Sequence, residues 1–164
     1  VKLRFTTNHD ESAKMSPIKE FGDMRGSMAA FVLTTYLHGG ALIYGSQEAG
    51  YPEAINFFTY VPVDWTGNSE LYQEYCRLMA LYNEYPAIRK GGLTTYPQPD
   101  VLLFEKQDGK DRVLVAVNVR NREVNVTLPQ EWNGHPSRDM YSGTEKKLEA
   151  ELSLCPYQYR IFKY

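Results

Sequence analysis

The sequence predicts an α/β plus all-β architecture: two βα units of a parallel sheet, then a small antiparallel β-sandwich domain. Three observations predict it. Residues 1–91 alternate short apolar runs with stretches whose apolar residues recur every three or four positions. Residues 92–164 switch to a period of two, with turn signals between short runs. Gly91-Gly92 stands where the period changes. We therefore expect domains over 1–91 and 92–164.

Each element has its own signal. Leu3-Arg4-Phe5 is short and strand-like. Asp23 to Leu37 reads as a helix, with Met24, Met28, Phe31, Val32 and Thr35 on one face, and Gly39-Gly40 ends it. Ala41 to Gly45 is an apolar run of the kind buried on both faces of a parallel sheet. A loop from Gln47 to Thr66 is rich in aromatics: Tyr51, Phe57, Phe58, Tyr60 and Trp65. Asn68 or Ser69 suits the start of a second helix, and Glu70 suits its first turn. Leu71, Tyr75, Leu78, Met79 and Tyr82 give that helix an apolar face, and Pro86 stops it. Parallel βα sheets carry chemistry at the C-terminal ends of their strands.

Beyond Gly92, Val101 to Glu105 reads as a strand and Asp108-Gly109 as a turn. Val113, Val115, Val117 and Val119 then give a strand with one strongly apolar face. Val124 to Leu128 follows, Pro129 breaks it, Asn133-Gly134 marks another turn, and Tyr157 to Tyr164 closes the chain as a strand. Trp132 is expected in the core or at a domain contact, and Tyr44 in the core.

Composition excludes several classes. Net charge is -2, with no basic stripe to neutralise phosphates, so no nucleic acid is expected. No run of about 18 apolar residues exists, so no membrane span is expected. Cys76 and Cys155 lie far apart and read as buried or free thiols without metal spacing. We expect no metal and no cofactor. The chain begins with Val1, which reads as a processed form or a fragment.

The segment most able to do chemistry is Phe5-Thr6-Thr7-Asn8-His9-Asp10. Asn offers a donor and an acceptor, His a ring donor, and Asp two acceptor oxygens. Three such groups at the end of a strand suit a pocket for a polyhydroxylated ligand. Downstream stands His38-Gly39-Gly40-Ala41-Leu42-Ile43-Tyr44-Gly45-Ser46-Gln47-Glu48-Ala49-Gly50. His38 reads as a helix-end residue near the last carbonyls, and Glu48 as a carboxylate that bonds backbone amides.

In this order, the segments resemble the C-terminal part of the α-amylase family, retaining glycoside hydrolases acting on α-glucans. Phe5 to Asp10 resembles the family's last short signature, at strand seven of its (β/α)8 TIM barrel. Gly40 to Gly50 resembles strand eight and its loop, and Gly92 to Tyr164 the all-β C-terminal domain. The resemblance implies the last two βα units of that barrel. It also implies that Asp10 stabilises the transition state and that His9 binds the same sugar, with Asn8 supporting the loop or touching substrate. Tyr51 and Trp65 are candidate sugar contacts in the strand-eight loop, and the implied ligand is an α-glucan or maltooligosaccharide with α-1,4 bonds. The nucleophile and acid/base carboxylates come from barrel strands four and five, so the isolated chain is expected to be catalytically silent. Without the rest of a barrel, Met28, Phe31, Leu42 and Ile43 should be exposed and drive self-association. The competing reading is a non-catalytic carbohydrate-binding or scaffold module built on the β domain.

Overall fold

A parallel strand pair opens the chain, as the βα pattern requires. In the computed structural model, which describes residues 2–164, β1 (Leu3–Arg4) pairs in parallel with β2 (Gly40–Ala41), Leu3 opposite Gly40 and Arg4 opposite Ala41. Between them lie α1 (His9–Ser12), α2 (Pro17–Glu20) and α3 (Met24–Tyr36). The Asp23 side chain caps α3 by accepting from the Gly26 N–H at 2.8 Å. After the aromatic loop, Asn68 caps α4 (Ser69–Glu84) by accepting from the Leu71 N–H at 3.2 Å. Tyr85 is extended, as the residue before a proline prefers, and Pro86 opens α5 (Pro86–Lys90). The proline thus ends one helix and begins another.

The rest is antiparallel. Strands β3 (Gly92–Tyr96), β4 (Val101–Asp108), β5 (Asp111–Asn118), β7 (Pro136–Asp139), β8 (Glu145–Lys147) and β10 (Tyr159–Lys163) form one sheet in the order β3-β4-β5-β10-β7-β8. Strands β6 (Val124–Thr127) and β9 (Glu151–Leu154) form a second sheet.

The six-stranded sheet is the wall between two cores. On one face, Phe104, Val113, Val115, Val117 and Ile161 pack against Phe31, Val32, Leu78 and Ile88 of the helices. On the other, Leu103, Leu114, Ala116 and Phe162 pack against Val126, Leu154 and Trp132 of the sandwich. The sequence pattern predicts one apolar face for β5; both faces are buried, because Leu114 and Ala116 are as apolar as the valines between them. Each fully buried side chain of this size contributes roughly 1.5–3 kcal/mol, so the sheet ties the helical layer to the sandwich.

Two further differences have physical causes. Met28 and Phe31 are buried, not exposed, because the helices cover them against the sheet. Leu42 and Ile43 are half-buried, and β2 is only two residues long because β1 is its one hydrogen-bonded neighbour among the described residues. The exposed apolar side chains nearby are instead Leu3 and Phe5.

The turn joining α3 to β2 is held from three sides. Lys106 Nζ, from the buried side chain of a β4 residue, donates to the Leu37 carbonyl at 3.2 Å. Arg4 Nε donates to the His38 carbonyl, and the Tyr82 hydroxyl to that of Gly39 at 3.4 Å. Lys106, not His38, therefore takes a carbonyl at the helix end. The His38 ring meets Lys106 Nζ through Nδ1 at 3.4 Å. Gly39, at φ +127°, allows the turn: a Cβ there would sit 2.3 Å from the Lys2 carbonyl oxygen.

A second cross-link joins α4 to β10. Both the Tyr141 hydroxyl, at 2.5 Å, and the Tyr159 hydroxyl donate to Glu74 Oε1. Burial first, then neighbouring charge, raises the phenols of Tyr36, Tyr141 and Tyr159, and burial pushes Tyr75 up to about 12. A folded-state pKa above the unfolded value near 10 gives stability that is complete below pH 10 and is lost as pH rises through the folded values. Alkaline titration should therefore unfold the chain above about pH 10, with tyrosinate absorbance rising together with the loss of helical circular dichroism. Tyrosinate formation in a chain still folded would contradict this.

Candidate functional site

The site residues follow directly from β1. Phe5 to Thr7 lead out of the strand to Asn8, whose extended backbone makes it the N-cap of α1. Its side-chain oxygen accepts from the N–H groups of Asp10 and Glu11, each at 2.9 Å. Asn8 is thus engaged in fixing the loop, and it sets the direction in which His9 and Asp10 project.

His9 and Asp10 stand side by side. His9 Nε2 lies 3.4 Å from Asp10 Oδ1, and their side chains are 66% and 65% exposed. An exposed pair of this kind binds its members together only weakly, so both keep polar atoms free for a ligand. Two aromatic rings flank the histidine: Tyr44 at 6.4 Å and Phe57 at 6.5 Å between centroids.

The loop after β2 is stitched to α1 and α2. The Ile55 N–H donates to the Ser12 carbonyl at 2.7 Å, and Ser16 Oγ to that of Pro52 at 2.7 Å. Lys19 pairs with Glu53. Gln47 anchors the loop to the helical core: its oxygen accepts from the Tyr44 N–H at 3.1 Å, and its amide donates to the Tyr75 hydroxyl at 3.2 Å. Gln47, not Glu48, does the bonding expected of a loop-supporting polar side chain; Glu48 Oε2 is buried without a hydrogen-bond partner among the described residues.

The aromatic residues of this loop divide. Tyr51 is half-buried and lines a small cleft with Thr7, Ser12 and Ser16. Trp65 is 60% exposed, Phe58 83% and Tyr60 91%. Asn8, His9, Asp10, Tyr44 and Phe57 are brought together; Tyr51 and Trp65 have no ring contact with His9. Phe57 had no signal in the sequence beyond its place in an aromatic loop. Tyr44, expected in the core, is half-buried beside His9, whereas Trp132 is fully buried as expected.

Cys76 and Cys155 are both free and exposed. Among the described residues no group of three or more His, Cys, Asp or Glu could hold a metal ion, and no helix is long and apolar enough to cross a membrane.

Residues 93–161 match the family model described as Maltogenic Amylase, C-terminal domain. A cyclomaltodextrinase of Geobacillus thermopakistaniensis (strain MAS1) is 27% identical over 152 residues, covering 86% of this chain and 26% of the relative. The chain thus spans about a quarter of the length of that curated relative. The fold is shared with solved structures. A trehalose-6-phosphate hydrolase of Bacillus licheniformis superposes with a TM-score of 0.74 at 14% identity, covering 98% of this chain and 42% of that one. A debranching enzyme of Nostoc punctiforme, soaked with acarbose, gives 0.71 at 20% identity over 99% of this chain and 33% of that one. The family-model match falls on the antiparallel strands, and the longer structural matches run back through the helices to the strand pair that leads into Asn8-His9-Asp10; the chain is similar to these amylase-type enzymes over part of their length.

Proposed function

We propose that the chain is the C-terminal part of a retaining glycoside hydrolase that cleaves α-1,4 bonds in α-glucans. In this reading β1 and β2 are the last two strands of a (β/α)8 barrel, residues 1–91 complete that barrel, and residues 92–164 are the β domain that braces it. One observation carries the reading: His9 and Asp10 stand exposed side by side just past a strand of a parallel pair, on a helix capped by Asn8. This is where parallel βα folds hold ligands.

Asp10 then accepts hydrogen bonds from hydroxyls of the sugar at the cleavage point and stabilises the oxocarbenium-like transition state. His9 binds the same sugar, and Asn8 positions both. Tyr51 and Trp65 belong to the wall of the substrate groove. Retaining cleavage needs two further carboxylates about 5–5.5 Å apart, which the rest of the barrel supplies. Exposed Leu3 and Phe5 near the open strand edge support an apolar contact there, with the remaining barrel or with a second copy. Maltooligosaccharide hydrolysis by the purified 164-residue chain is the test. The expected result is no turnover; turnover abolished by Asp10→Asn would show that the chain holds a complete catalytic set.

A further inference from the structure

We infer that Gln47 is a positioning residue of the site: held by Tyr75, it fixes the turn that sets the Tyr44 ring beside His9, and through that ring the orientation in which His9 meets a sugar. The inference rests on the reading above and deepens it. Gln47 and Tyr75 are both buried. The Gln47 amide is engaged at both ends, its oxygen accepting from the Tyr44 N–H at 3.1 Å and its nitrogen donating to the Tyr75 hydroxyl at 3.2 Å. A primary amide suits this place because it carries an acceptor and a donor in one plane.

The backbone alone does not hold Tyr44. The parallel ladder ends where the Leu42 N–H donates to the Arg4 carbonyl at 3.1 Å, two residues short of it. The chain then turns at Gly45, whose φ is +56°. The backbone bond across that turn, from the Gln47 N–H to the Tyr44 carbonyl, is 3.5 Å long, beyond the usual range for such bonds. The side-chain bond to the Tyr44 N–H is therefore the tighter tie. Its far end is rigid. The Tyr75 ring packs on Phe31 with centroids 4.4 Å apart. One residue earlier on α4, Glu74 takes the hydroxyls of Tyr141 and Tyr159 from the β domain. The Tyr44 ring in turn lies 6.4 Å from that of His9. Removing the Tyr75 hydroxyl leaves a buried amide donor unpaired, which costs more than the bond itself, so the amide and the turn it holds must shift. Hydrogen bonds to sugar hydroxyls are directional, and a small displacement at such a site is costly.

The experiment measures kcat/KM for maltoheptaose, and Tm, in the intact enzyme that carries this chain. Gln47→Met keeps the length of the side chain without its hydrogen bonds, and Tyr75→Phe removes only the hydroxyl. Each should lower kcat/KM about tenfold, the effect of one neutral hydrogen bond. Gln47→Glu can still accept from the Tyr44 N–H and can receive a bond from the Tyr75 hydroxyl, so it should keep most of the rate. In a Tyr44→Ala background Gln47→Met should cost little more, because the ring it acts through is gone. The same tenfold loss without the Tyr44 ring, or a fall in Tm with kcat/KM unchanged, would overturn the positioning role. If Gln47→Met does not fold, Tyr75→Phe, which keeps the packed ring, decides by the same criteria. A rate loss in His9→Ala beside Gln47 and Tyr75 variants at full rate would remove the positioning and leave the glycosidase reading standing. His9→Ala and Asp10→Asn variants at full rate would remove that reading and the positioning with it.

Discussion

Replacing Arg112 with Met should destabilise the chain by about 3–5 kcal/mol, the cost of leaving a buried charge without its partner. Glu105 on β4 is 3% exposed and faces the sandwich core. Its Oε1 accepts from Arg112 Nε at 2.5 Å. Its Oε2 accepts from Arg112 Nη2 at 2.7 Å, Trp132 Nε1 at 2.8 Å and the Tyr96 hydroxyl at 3.1 Å. The guanidinium also lies over the rings of Tyr164 and Trp132, at 4.8 and 5.6 Å. Burial alone would raise the Glu105 carboxyl, but these donors outweigh it and hold it below the usual carboxylate range. Against a total stability of about 5–15 kcal/mol, the loss would show as a large drop in the denaturant midpoint.

The pH dependence separates this cause from simple loss of packing. With Arg112 present, the depressed Glu105 pKa adds stability above the unfolded value, near 4.5, that is lost as pH falls through the folded value. In Arg112→Met the carboxylate can escape its penalty by taking a proton. The difference between variant and wild type should therefore shrink on acidification. A Glu105→Leu/Arg112→Met double variant, with no charge left to bury, should recover most of the loss. A double variant as unstable as the single one, or a deficit constant with pH, would assign the effect to packing.

Neither Glu105 nor Arg112 stands out in the sequence, and the reason is instructive. Periodicity reports which face of an element is apolar. It finds α3 and α4 by apolar residues recurring every three or four positions and β5 by an unbroken apolar run, and caps such as Asn68 add sharp ends. It does not report that a charged pair seven residues apart meets across a hairpin, because that contact depends on the Asp108-Asp111 register. The polar strands β3, β7 and β8 are invisible for a related cause. Each lies at or near an edge of the six-stranded sheet, where solvent covers part of the strand and alternation fades. At the candidate site, Asn8, His9 and Asp10 are contiguous and so readable as a motif. Phe57 reaches His9 only through the path of the loop, 48 positions further along the chain. Tyr51, equally aromatic, lines a small cleft with Thr7, Ser12 and Ser16 instead, and no local feature of the sequence distinguishes the two.

The second large effect concerns rate and not stability. On the proposed reading of Asp10 as the group that stabilises the oxocarbenium-like state, Asp10→Asn in the intact enzyme should lower kcat by about 10²–10³-fold, the range for removing one preorganised group that stabilises developing charge. Asn keeps the size of the side chain and one acceptor, but it loses the negative charge. Bonds to a charged acceptor are roughly twice as strong as neutral ones, and they tighten most where the sugar ring becomes cationic. KM should change less than kcat, since the lost interaction is strongest in the transition state. The fold should not change, because Asp10 takes part in the α1 cap through its backbone N–H alone. Asn8→Ala is the informative contrast: it removes the acceptor for two N–H groups and should cost about 1 kcal/mol of stability, with activity falling because His9 and Asp10 lose their orientation. A rate loss without a shift in Tm for Asp10→Asn, beside a shift in Tm for Asn8→Ala, would separate the group that meets the sugar from the group that aims it. Equal thermal losses in both would return Asp10 to the role of a loop residue.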